Sequence, residues 1–147
     1  MIEYLLARQS SRQWNGFLSA LSAELSSHLG VDECRALMHR AGLRFASQTP
    51  LPACETVQEM QHAMSEVWLG MEWGWVSLHE TPQYLSIQHF CTPLQAAFGA
   101  EHAGGMAAFL EGVYQHWFHS LGSGPALVVR QATEPDRYGF VEYRLGH

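Results

Sequence analysis

Histidine is the residue type here most able to do chemistry, and two spacings bring histidines near one another. His116 and His119 stand at i and i+3 and would share one face of a helix. His79 and His89 fall in two neighbouring stretches rich in β-formers. Neither pair has a carboxylate at ligand spacing, and the chain contains no H-E-x-x-H. No metal site is expected. A metal hydrolase using His116, His119 and a distant carboxylate is a rival reading. Nucleophilic chemistry also lacks a motif, since there is no G-x-S-x-G elbow. Cys34, Cys54 and Cys91 are widely spaced, odd in number and form no C-x-x-C. That pattern excludes a disulfide framework and a zinc knuckle, and leaves reduced, mostly buried thiols. The stretch Ala103-Gly104-Gly105-Met106 lacks the lysine and spacing of a phosphate loop and reads as a flexible helix start. No catalytic residue and no cofactor is expected.

Aromatic chemistry is more prominent. Trp68, Trp73 and Trp75 lie close together in the chain. Indole rings stack on the apolar CH faces of sugars, and they also anchor cores and interfaces. Trp68 falls on a helical apolar stripe and reads as core. Trp73 and Trp75 are two apart in a strand pattern and so are expected on one face. With Trp117 they are expected as core or subunit-interface aromatics rather than as a sugar platform.

These residues need elements to position them. Trp14, Phe17, Leu18, Leu21 and Leu25 form one helical stripe, so a first helix is expected over about Ser11 to Leu29. Ser19, Ser22, Ser26 and Ser27 sit mostly off it. Gly30 is expected to end this helix in a left-handed conformation. Asp32 is expected to cap a second helix reaching about Ser47, with Cys34, Leu37, Met38, Ala41 and Phe45 as its stripe. Thr49-Pro50-Leu51-Pro52 must be extended. Thr56-Val57-Gln58-Glu59 has the form of a capping box for a third helix, which Gly70 should stop. Trp73 to His79 and Tyr84 to Phe90 read as a hairpin. A helix from about Gly105 to Leu121 follows, with Met106, Phe109, Leu110, Val113 and Trp117 as its stripe. Strands over Ala126 to Ala132 and Tyr138 to Leu145 close the chain. The expected fold is α+β: three N-terminal helices, hairpin, helix and hairpin, with an antiparallel sheet packed on helices.

One domain spanning 1–147 fits the length, and no run reaches the roughly 18 apolar residues of a membrane helix. The N-terminal apolar patch is too short for a secretory signal, so a cytoplasmic protein is expected, with the periplasm as the alternative. Only 15% of residues are charged, against about 25% in typical soluble domains. Five Trp and six Met accompany that low charge, which favours a surface partly covered by other subunits. The net charge of −6, with no basic run, argues against nucleic acid and anionic lipid as partners.

Four stretches together resemble the family of bacterial cellulose synthase D subunits. They are Phe17 to Leu25, Pro52-Ala53-Cys54-Glu55-Thr56-Val57, Glu72-Trp73-Gly74-Trp75-Val76-Ser77-Leu78, and Leu110-Glu111-Gly112-Val113-Tyr114-Gln115-His116-Trp117. Their order and spacing match from about Trp14 to the last strand. The combination of P-x-C-x-T-V, then W-G, then L-E-G-x-Y-x-x-W carries the resemblance. It implies a non-catalytic α+β accessory subunit that promotes cellulose biosynthesis, export and crystalline alignment. It implies dimers, with four dimers forming an octameric cylinder that encloses glucan passages. The family's N-terminal segment lines those passages, which here would place Glu3, Tyr4, Arg8 and Gln9 against the glucan. Partners would be other synthase subunits, a cytosolic scaffold partner and the glucan chain itself. A ring that aligns synthases without admitting glucan is a second geometry for the same family. A small-molecule sensor domain of α+β type, with an apolar pocket for haem or lipid, is the rival from another class.

Overall fold

The computed structural model describes residues 1–2 and 12–147. Helices α1 (Arg12–His28), α2 (Val31–Gln48) and α3 (Val57–Met71) come first. Strands β1 (Trp75–Glu80) and β2 (Leu85–Phe90) follow. Then come α4 (Leu94–Phe98), α5 (Ala100–Met106) and α6 (Ala108–Ser120), and the chain closes with β3 (Val128–Gln131) and β4 (Val141–Gly146). The strands form one antiparallel sheet in the order β1-β2-β4-β3. The two hairpins are thus joined through β2 and β4, with Ile87 opposite Tyr143. The fold class is α+β, as the periodicities predict.

Local punctuation differs from expectation in four places. Gly30 is extended, at φ −65° and ψ 164°, and is the N-cap of α2 rather than a left-handed stop for α1. Asp32 therefore lies inside the first turn, where with Glu33 it meets the positive end of the helix dipole. Gly70 stays helical, and Glu72 takes the left-handed position at φ 62°. The stretch read as a flexible helix start before α6 is itself helical. Alanines favour helix, and α4 and α5 form there, with Gly104 and Gly105 inside α5. The capping box does form. The Glu59 amide donates to Thr56 Oγ1 at 3.1 Å, while the Glu59 carboxylate accepts from the Glu55 amide at 2.7 Å, one residue before the expected partner.

The core lies between the inner sheet face and the helices. Val76, Leu78, Ile87, His89, Val129, Val141, Tyr143 and Leu145 line the sheet side. Trp68, Leu110, Val113, Tyr114 and Trp117 line the helix side. Both edges of the sheet are closed by helix side chains. On β1, Gln61 accepts the Leu78 amide at 2.9 Å, and Ser65 Oγ accepts the Val76 amide at 3.1 Å and donates to the Val76 carbonyl at 3.0 Å. On β3, Gln115 accepts the Val129 amide and Glu111 the Gln131 amide, each at 2.8 Å. Each pair stands at i and i+4, so one helical turn matches two strand residues.

Helices α2 and α6 cross at backbone contact. A Cβ on Gly42 would overlap the Phe109 carbonyl, and one on Gly112 would overlap the His39 carbonyl. The side of this crossing carries a partly buried ion pair, Arg35 to Glu111 at 3.2 Å. Arg35 also donates to the Gly104 carbonyl at 3.1 Å and to Gln131 at 2.8 Å, tying α2 to α5 and β3.

Gly112→Ala tests the crossing. Alanine gains about 1 kcal/mol of helix propensity at an unhindered site, but overpacking costs about 1–3 kcal/mol. The expected outcome in urea denaturation is a loss of stability for Gly112→Ala and none for Gly70→Ala, where a Cβ meets nothing within 4 Å.

Candidate functional site

The aromatic residues singled out in the sequence separate in the structure. Gly74 at φ 78° breaks the strand between Trp73 and Trp75, so they do not share a face. It must be glycine, because a Cβ there would also overlap the Phe90 carbonyl. Trp73 turns inward, against Trp68 at 5.8 Å and Phe109 at 5.7 Å between ring centroids. Trp75 points outward on β1, is 44% exposed and stacks on Phe90 at 5.5 Å. Trp117 is fully buried, and its indole N–H donates to the Thr49 carbonyl at 2.9 Å. Glu3, Tyr4, Arg8 and Gln9 lie outside the described residues.

A filled aromatic cluster occupies the space between sheet and helices. Trp68 is its centre, lying 5.9 Å from Phe45, 5.2 Å from Trp117 and 5.0 Å from His89. His89 was not legible as a core residue, because an isolated histidine in a strand pattern reads as surface. Its Nε2–H donates to the Trp73 carbonyl at 2.7 Å, which fixes the tautomer. Nδ1 then accepts from the Tyr114 hydroxyl at 2.6 Å. Burial pushes the His89 pKa down to about 4, with the Trp73 hydrogen bond opposing the shift. Burial likewise pushes Tyr114 well above the usual phenol value, with the Trp68 indole a lesser, opposite influence. Both groups are neutral across the physiological range.

Other candidates for chemistry do not converge. His79 is exposed beside Ser77, while His89 is buried. His119 lies against Gln115. Among the described residues no three His, Cys, Asp or Glu side chains gather as metal ligands. Cys34 is buried, Cys54 and Cys91 are half-buried, and all three are free thiols. Desolvation, then Glu59, raises the pKa of Cys54; desolvation, then Asp136, raises that of Cys91. Neither is the lowered thiol of an activated nucleophile.

The unusual surface is on α1. Its buried side carries Leu18, Ser22 and Leu25, with Leu29 just past its end, and only Ser22 is fully buried. Ser26 reaches His102 of α5 at 3.1 Å. The apolar stripe expected to face the core divides here. Trp14, Phe17 and Leu21 point away from it, at 57%, 56% and 41% exposure. Trp14 and Phe17 meet edge to face, 5.9 Å apart. The signal in the sequence was a stripe too wide for one small core, with four large apolar residues, Trp14, Phe17, Leu18 and Leu21, in the helix's first half and middle.

These features define a two-layer α+β domain with a filled aromatic core and exposed chemistry that is apolar and aromatic. The family model for the D subunit of cellulose synthase matches residues 1–144, and the chain belongs to that family. Its relatives include a cellulose synthase operon protein D of Komagataeibacter xylinus, 31% identical over 107 residues, covering 71% of this chain and 68% of the relative. A second protein of that name and organism is 27% identical over 124 residues, covering 82% of this chain and 80% of its own. One from Komagataeibacter sucrofermentans is 28% identical over 106 residues, covering 71% and 68%. No helix among the described residues is long and apolar enough to cross a membrane.

The buried imidazole sets an acid limit on stability. Folded His89 stays neutral down to about pH 4, whereas the ordinary histidine value is 6.5. Between those values the unfolded chain binds more protons, so stability falls as pH falls from 6.5 toward 4, by about 3 kcal/mol in all. Urea denaturation at fixed protein concentration should show this slope, and His89→Gln should flatten it while lowering stability at neutral pH.

Proposed function

We propose that this protein is a non-catalytic accessory subunit of a bacterial cellulose synthase complex and works by self-assembly. The exposed Trp14-Phe17-Leu21 stripe of α1 carries this reading. Burying each such side chain contributes about 1.5–3 kcal/mol, enough for a few copies per ring to hold an interface. Both sheet edges are already bonded to helix side chains, so strand addition is not the route to assembly. A helix-to-helix contact through α1 is. The proposed product is a closed octamer built as four dimers, which needs two distinct contacts per chain. In such a ring the residues preceding α1, with Glu3, Tyr4, Arg8 and Gln9, would be repeated around the axis. Polar, individually weak contacts there would guide an outgoing β-1,4-glucan without holding it. The partners are other synthase subunits or a cytosolic scaffold partner, and the place of action is the cytoplasm.

Native mass spectrometry and light scattering test the assembly. The expected outcome is an octamer for the unaltered chain. Trp14→Ser with Phe17→Ser should weaken association by more than about tenfold and yield smaller species with an unchanged fold by circular dichroism. An unaltered chain that remains monomeric at every workable concentration overturns the proposal.

A further inference from the structure

Pro50 and Pro52 keep the chain extended after α2, and the Thr56 cap then turns it into α3. The extended segment and one face of α3 border an open groove of about 870 Å³. Its floor is apolar, with Leu51, Ala63 and Val67 half-buried. Its rim on α3 is acidic, with Glu59 and Glu66 exposed and seven residues apart. Glu59 is already bonded to the Glu55 amide, whereas Glu66 has no ion-pair partner among the described residues. No arginine among the described residues lines the groove.

The outward stripe of α1 has the complementary form. Trp14, Phe17 and Leu21 stand at i, i+3 and i+7 and make one convex apolar ridge, two turns or about 10 Å long. Exposed Arg12 marks its N-terminal end and has no ion-pair partner among the described residues. Glu59 and Glu66 span the same two turns on α3. Within one chain the ridge and the groove cannot meet, because the other side of α1 is held on the fold through Ser22 and through Ser26 with His102.

We propose that the α1 ridge of one copy seats in the groove beside α3 of the next copy. Trp14 and Phe17 then lie on Leu51, Ala63 and Val67, and Arg12 pairs with Glu66. That pairing sets α1 antiparallel to α3, with Leu21 toward Glu59. The positive end of the α1 dipole then meets the negative end of α3. The groove is a better acceptor than a second α1 ridge. Two convex ridges side by side leave the outer flanks of both rings wet and both grooves open, whereas groove walls cover an aromatic anchor on both flanks. The charges also match, an arginine at the ridge and carboxylates at the rim. The contact is heterologous, so each pairing leaves one ridge and one groove free until a ring closes. This inference rests on the self-assembly reading and supplies the surface that receives α1.

The test is complementation between full-length variants, read by native mass spectrometry and light scattering. Trp14→Ser with Phe17→Ser removes the ridge and keeps the groove. Ala63→Arg fills the groove and keeps the ridge, and arginine is a good helix former, so α3 should persist. Each variant alone should give species smaller than the unaltered chain does. Mixed in equal amounts they should give species larger than either alone, because one intact ridge and one intact groove remain. Glu66→Arg should weaken association severalfold, and adding Arg12→Glu should restore it to within about twofold. Glu66 is exposed, so this second test holds even where Ala63→Arg fails to fold. A mixture no larger than its components overturns the proposal, as does full assembly by both Ala63→Arg and Glu66→Arg. Should the ridge variant fall apart while both groove variants assemble fully, α1 meets another surface, and self-assembly itself stands. An unaltered chain that stays monomeric overturns both.

Discussion

An open antiparallel sheet leaves a row of unpaired amides and carbonyls along each outer strand, and in this protein both rows end on helices. Gln61 and Ser65 of α3 take the β1 edge, and Glu111 and Gln115 of α6 take the β3 edge. The bonds do more than satisfy buried donors. They fix the height and rotation of both helices against the sheet, because i, i+4 side chains reach alternate strand residues only in one register. Trp68, Tyr114 and Trp117 are thereby set into one cluster under His89. The same bonds remove strand addition as a means of joining copies.

That constraint gives the L-E-G-x-Y-x-x-W stretch a physical meaning. Glu111 closes the β3 edge and pairs with Arg35. Gly112 lets α6 touch the α2 backbone. Tyr114 donates its hydroxyl to His89 Nδ1, and Trp117 bonds the Thr49 carbonyl at the end of α2. Each of these four residues supports the scaffold. The scaffold leaves two aromatic surfaces uncovered: the outward stripe of α1 and the open sheet face. They are chemically unlike, one wholly apolar and one aromatic beside polar groups.

Much of the fold was legible in the sequence because it depends on short-range periodicity. The Thr56 capping box located the start of α3, and the β-formers of Trp73 to His79 and Tyr84 to Phe90 located the first hairpin. Less of the site was legible. Periodicity gives the spacing of an apolar stripe but not which neighbour covers it, so Trp14, Phe17 and Leu21 read as core although nothing in the described fold covers them. Nor does a strand pattern show a glycine at positive φ, so Trp73 and Trp75 read as neighbours on one face when Gly74 sends them to opposite sides.

The sequence by itself determined the class of fold, the family and the low charge that suits a subunit among subunits, because these are set by composition, local spacing and motif order. The tertiary structure decided which apolar residues are left outside, which histidine is buried and which edges are closed. Those depend on contacts between residues far apart in the chain, such as Gln115 with Val129, His89 with Tyr114 and Arg35 with Gln131. No local pattern encodes such pairings, since the free energy of each arises only when the helices and the sheet are brought together.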